Sequence, residues 1–165
     1  MWHPLQTPAH LILLLGLAFF LGQQKQLKTV LLLPVAVFIG FLSNHFSLLD
    51  WNTELILLVA ALIFGLLLVL KLRVPIILLL VLLACSGFVL GLDSSPIKIP
   101  GLGLNSINSW RLGATITMSL VLFLITTFAY LLNFFWNGII LRIAGSWIAT
   151  SAIFVLTLII AKVSL

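Results

Sequence analysis

Charged residues are scarce in this sequence. Only eight Lys and Arg and three Asp and Glu occur among 165 residues, whereas 63% of the residues are hydrophobic. So few charges cannot cover the surface of a water-soluble domain of this size. The composition therefore excludes an ordinary soluble protein and predicts an integral membrane protein.

Several functional features are also missing. The single cysteine, Cys85, excludes an internal disulfide. The basic residues form no patch interleaved with aromatic residues, so no nucleic-acid partner is expected. The apolar segments contain no Ser/His pair, Asp pair or HExxH motif, so the sequence predicts no enzyme. No basic region precedes the first apolar stretch and no cleavage-like site follows it, so we expect that stretch to be retained as a helix.

Six apolar segments predict the fold. They cover residues 8–23, 29–43, 53–70, 74–92, 110–132 and 139–161. About 20 residues of helix cross a bilayer, and long aliphatic runs favour helices over an alternating barrel pattern. The predicted fold class is an all-α integral membrane protein, a compact bundle of six transmembrane helices forming one domain over residues 1–165. The first two segments are short, and a shallow hairpin that does not cross the bilayer is the alternative for them.

Basic residues predict the orientation. Alternating loops place one set of five on one side, Lys25, Lys28, Lys71, Arg73 and Arg142, and a set of three on the other, Lys98, Arg111 and Lys162. The richer side is expected to be cytoplasmic, with both termini outside. The predicted location is a cell membrane, either the inner (cytoplasmic) membrane or another energy-transducing one. All three histidines and all three acids then lie at the outer face.

Small residues recur four positions apart in every segment. The pairs are Ala18/Gly22, Ala36/Gly40, Ala61/Gly65, Gly87/Gly91, Gly113/Thr117 and Gly145/Ala149. This spacing lets helix backbones approach closely in lipid, so it predicts a tightly packed bundle.

Polar residues form stripes on the last two segments. The fifth carries Arg111, Thr115, Ser119, Thr126, Tyr130 and Asn133, and the sixth carries Ser146, Thr150 and Thr157. The spacing places each set on one helix face. We expect the two stripes to face each other and to stabilise the bundle by hydrogen bonds rather than form a transport route.

The candidate metal ligands are His3, His10, Glu54 and His45. Thr7 and Pro8 are typical of a helix start, which puts His10 in the first turn, and the prolines can fold His3 back over it. Imidazole and carboxylate groups together suit nickel, cobalt or zinc. The alternative is structural: the histidines rest among lipid headgroups, and Glu54 complements the dipole at a helix N-terminus.

The stretch "HPLQTPAH" resembles the motif of the HupE/UreJ family, in which His-Pro is followed five residues later by Asp-His. His3, Pro4 and His10 match the motif, whereas Thr7 and Ala9 replace its Gly and Asp. "TELILLVAALIFGLLL" is similar to the third family helix, which opens with a glutamate at the position of Glu54.

The fourth segment departs from the family. In "CSGFVLG", Gly87 and Gly91 match two family glycines, but Ser86 and Leu90 occupy both histidine positions. "LRIAGSWIATSAIFVL" is similar to the last family helix. The chain thus resembles a divergent member of this family of hydrogenase- and urease-associated membrane proteins.

The resemblance implies a nickel or cobalt permease with an outer histidine site. Because no acid or histidine is expected deeper in the membrane, the alternative is a non-transporting bundle. Such a bundle would serve as a subunit or assembly partner of a larger membrane complex. In either case the expected partners are the lipid bilayer and other membrane-protein subunits or further copies of the chain.

Overall fold

The computed structural model describes residues 8–43, 53–93 and 104–163, and all regular structure in this part of the chain is helical. The helices are α1 (Pro8–Gln23), α2 (Leu32–Ser43), α3 (Thr53–Leu70), α4 (Ile76–Asp93), α5 (Leu104–Phe135) and α6 (Ile139–Val163), with a 3-10 helix over Leu27–Leu31 before α2. The predicted all-α class and six helices are confirmed. Helix α5 begins six residues earlier than predicted, because the mostly polar segment "LNSINS" at residues 104–109 continues the helix instead of forming a loop.

Four of these helices are long and apolar enough to cross a membrane: Thr53–Leu70, Ile76–Asp93, Arg111–Phe135 and Ile139–Ala161. The first two apolar helical segments, Pro8–Gln23 and Leu27–Ser43, are shorter. The four long helices support a membrane protein. That all six helices cross the membrane completely remains a prediction.

Helix α1 lies at the centre of the bundle. It packs against α3, α5 and α6, and its side chains Leu13, Leu17 and Phe20 are at most 1% exposed. Most side chains of α1 are buried, whereas Leu11 is 40% exposed. The helix is therefore apolar both on the faces that meet other helices and on the face left open, as expected in a membrane bundle.

Glycines bring three helix pairs into close contact. Gly40 of α2 meets Gly91 of α4. Gly65 of α3 meets Ala149 of α6, and Gly22 of α1 meets Ala129 of α5. These crossings involve five of the six predicted small-residue pairs. In the sixth, the Thr117 hydroxyl donates to the Gly113 carbonyl of its own helix.

The three odd-numbered helices end together. Lys25, Lys71 and Asn137 follow α1, α3 and α5 with positive φ angles of 59°, 52° and 48°. After α1, Lys25 N–H donates to Gly22 and Gln26 N–H donates to Leu21. This is the hydrogen-bond pattern of a Schellman motif, and Lys71 makes the same pattern after α3. We call this the Lys71 end of the bundle, and the opposite one the His10 end.

Candidate functional site

The His10 end contains a partly buried histidine–carboxylate pair. His10 lies in the first turn of α1 and is 2% exposed. Its Nε2 is 2.6 Å from Oδ2 of Asp93, the last residue of α4. The pair joins residues 83 positions apart, so it links the start of the first helix to the end of the fourth.

The same carboxylate reaches a third helix. Thr53, the first residue of α3, donates its hydroxyl hydrogen to Oδ1 of Asp93. The negative charge therefore lies beside the N-termini of α1 and α3, where helix dipoles favour an anion. This offsets the unfavourable position of an acid at the C-terminus of its own helix α4. We call His10, Thr53 and Asp93 the His10 cluster.

The predicted ligands have different outcomes. His10 is buried in the cluster, and Glu54 is exposed in the first turn of α3. His3 and His45 lie outside the described residues, as does Thr7. Within the described ranges, no group of three or more His, Cys, Asp and Glu side chains could hold a metal ion.

Asp93 was missing from the predicted ligand set. Its available signal was its position: it directly follows the apolar run "GFVLGL" and is one of only three acids in the chain. The nearby pair Gly87/Gly91 predicts close helix packing, and this pattern does not indicate that Asp93, two positions after Gly91, contacts another helix.

The chain was compared with protein-family models, curated proteins and solved structures. None of them matches. The HupE/UreJ resemblance therefore stays a prediction. At the two positions where the family has histidines, Ser86 and Leu90 are both buried, and the Ser86 hydroxyl donates to the Leu82 carbonyl of its own helix.

The Lys71 end is built differently, from side chains that satisfy helix carbonyls. Gln23 donates to Leu68 and Arg142 to Val69, both near the end of α3. The Lys71 ammonium donates to the Asn137 carbonyl after α5. Cationic and amide donors are favoured at helix C-termini, so these contacts are explained by capping alone.

The predicted pairing of the polar stripes is wrong. Ser146, Thr150 and Thr157 of α6 are exposed and donate to carbonyls of their own helix. Helix α5 packs mainly against α1 rather than α6, and Asn133 donates to the Gln23 carbonyl of α1. Hydroxyls satisfied within their own helix can face lipid, which is why polarity alone did not identify the packed face.

Thr126 provides a test of this correction. It is fully buried, and its hydroxyl has no hydrogen-bond partner in the described part of the chain. Thr126→Val keeps the volume and removes an unsatisfied polar group, so we expect the free energy of unfolding to rise by about 1 kcal/mol. Thr115→Val is the control, because the Thr115 hydroxyl donates to Arg111 and its loss should not stabilise. Unfolding in mixed micelles measures the stability of both variants. A clear loss of stability in Thr126→Val would mean that the Thr126 hydroxyl does make a stabilising hydrogen bond.

Proposed function

We propose that this chain is a polytopic membrane protein that binds a divalent transition-metal ion of the nickel or cobalt type at the His10 end and acts as its permease. The observation that carries the proposal is the contact between His10 and Asp93. An imidazole nitrogen and a carboxylate oxygen at hydrogen-bond distance share a proton, and a divalent cation can replace that proton.

The position of the acids supports cation capture at the His10 end. Asp93 and Glu54 are the acids of the described chain, and both lie at this end. The five cations Lys25, Lys28, Lys71, Arg73 and Arg142 lie exposed at the opposite end. Two protein ligands are fewer than a closed metal site uses. In this proposal His3 and His45 supply the remaining ligands.

A second function is favoured by the interior of the bundle. Below the His10 cluster, the described helices bury no carboxylate and no imidazole. A desolvated divalent ion needs such partners. This favours a non-transporting membrane subunit, associated with other membrane proteins or with copies of itself.

Metal binding and uptake separate the two functions. The purified full-length chain is titrated with Ni²⁺, Co²⁺ and Zn²⁺ while its thermal unfolding is followed, and is then reconstituted into vesicles that contain a metal-sensitive dye. For the permease we expect stabilisation by metal, which rises with the ratio of free metal to Kd, together with dye quenching. Both should be lost in His10→Gln. Asn133→Ala, changed at the opposite end, is the control.

Each result has a distinct meaning. Stabilisation without uptake supports a metal-binding, non-transporting subunit. If metal neither stabilises the protein nor is taken up, the metal proposal is rejected. The remaining function is then a membrane subunit that binds no metal ion.

The proposed orientation has its own test. We propose that the Lys71 end is cytoplasmic and both termini are outside, in an inner or other energy-transducing membrane, because the five cations at that end follow the positive-inside rule. In a Cys85→Ala background, Lys28→Cys should react with an impermeant maleimide only after the cells are opened, and Glu54→Cys should react in intact cells. Reaction of Lys28→Cys in intact cells would reverse the orientation.

A further inference from the structure

Helices α3 and α4 are consecutive but separate in the middle of the bundle. Helix α3 packs chiefly on α6 and α1, whereas α4 packs chiefly on α2. The two helices are held together at one end by the hydrogen bond from Thr53 to Asp93. At the other end they are joined by the short connection between Leu70 and Ile76.

The separation leaves a cleft of about 410 Å³, counting its open side. One wall includes Ile56, Ala60 and Ile63 of α3, and the other includes Leu82, Cys85 and Val89 of α4. We call this the α3–α4 cleft. Its floor is Leu13 of the central helix, which is fully buried.

The cleft is apolar and does not suit water. Its lining includes one hydroxyl, that of Ser86, which donates to the Leu82 carbonyl. A water molecule in a cavity needs two to four polar partners, and apolar cavities stay dry. The lining of the cleft therefore favours an apolar ligand.

The depth of the cleft determines which apolar ligand is available. Ala60 and Cys85 lie near the middle of helices of 18 residues each, both of which can span a membrane. At that depth the surrounding solvent is the hydrocarbon of lipid chains. Cys85 is exposed there, so the cleft opens outward from the bundle.

The cleft is too small to enclose a helix. The lining from Ile56 to Phe64 extends about 12 Å along α3. A helix of that length, about 10 Å across, fills roughly 900 Å³, which is more than twice the cleft. The same length of a hydrocarbon chain, about 4 to 5 Å thick as set by carbon contact distances, fills roughly 150 to 240 Å³, which is less than the volume of the cleft.

We propose that the α3–α4 cleft is a binding site for one acyl chain of a bilayer phospholipid. The chain lies between Ala60 and Cys85 on the floor made by Leu13, and the Thr53–Asp93 contact closes the cleft above it. Binding of the chain fills the space that α3 and α4 leave between them along the cleft. The acyl-chain proposal does not rest on the proposed metal function, because none of the residues that line the cleft is a proposed metal ligand.

Photolabelling tests the site in the intact protein. The full-length chain is reconstituted into nanodiscs of phosphatidylcholine that carries a diazirine at mid-chain, irradiated, digested and mapped. We expect adducts on the segments that contain Ala60 and Cys85 at about five times the level on the exposed Ile153–Phe154 face of α6. Equal labelling of both regions would overturn the proposal.

A matched pair of variants gives a second test. Ala60→Phe fills the cleft and should lower the adduct yield at Cys85 at least fivefold. Val59→Phe adds the same ring at the neighbouring exposed position and should leave the yield unchanged. Unchanged labelling in a folded Ala60→Phe would refute the site. If that variant does not fold, the wild-type labelling map alone decides.

Discussion

Replacing Gly91 by alanine will destabilise the protein by about 1 to 3 kcal/mol or more, the range expected for overpacking. A methyl group at Gly91 would collide with the Val37 carbonyl oxygen and lie 3.0 Å from the Gly40 Cα. Both obstacles are backbone atoms, which cannot rotate away as a side chain can. Helices α2 and α4 must therefore move apart, and the contacts along their interface weaken together.

Gly16→Ala is the control for this prediction. The added methyl would lie 3.3 Å from Phe64 Cβ and 3.4 Å from Ile148 Cγ2, both side-chain atoms. Alanine also has a helix propensity about 1 kcal/mol better than glycine, so this variant should remain close to wild-type stability. Unfolding of both variants in mixed micelles provides the measurement. Equal tolerance of the two substitutions would mean that the α2–α4 crossing is less close than described.

Replacing Asp93 by alanine will cost about 1.5 to 3 kcal/mol, the range for hydrogen bonds to a charged group. The change removes the acceptor of both His10 and Thr53 and weakens the connection among α1, α3 and α4. The side chain of Asp93 is 24% exposed, so water can replace part of what is lost, and the cost should stay within this range rather than exceed it. Asp93→Asn keeps one amide oxygen as an acceptor and should lose less.

Glu54→Ala serves as the matched acid control. Glu54 lies next to Thr53 but is exposed, and surface substitutions usually change stability by less than about 0.5 kcal/mol. The same chemical unfolding experiment applies to all three variants. If Asp93→Ala behaves like Glu54→Ala, the carboxylate does not hold the helices together.

The apolar segments predicted the helices well because membrane helices need long hydrophobic runs. The bounds of α1 and α3 agree with the prediction, whereas α5 extends into polar residues that the hydropathy pattern assigned to a loop. Small residues also identified the close crossings correctly. They did not specify which helices cross each other. Gly22 and Ala129 belong to distant parts of the chain, and neither segment has a pattern that identifies the other as its neighbour.

The candidate site was predicted only in part. His10 stood out because a histidine is unusual at the start of an apolar helix, but its contact with Asp93 depends on how α1 and α4 are arranged in the bundle. The prediction that the polar stripe of α6 faces α5 was wrong for a related reason. A serine or threonine can satisfy its hydroxyl on its own helix, as Thr150 does with Ser146, so its polarity does not reveal which neighbour it faces.

The central position of α1 has a consequence for biosynthesis. Helix α1 is synthesised before all of its partners α3, α5 and α6, and Asn133 follows Gln23 by 110 residues. At translation rates of about 5 to 20 residues per second, α1 waits roughly 6 to 20 s for that contact. During this interval Gly22 of α1 lacks its α5 neighbour Ala129, so we expect nascent chains stalled before α5 to retain α1 crosslinked to the insertion machinery, and full-length chains to have released it.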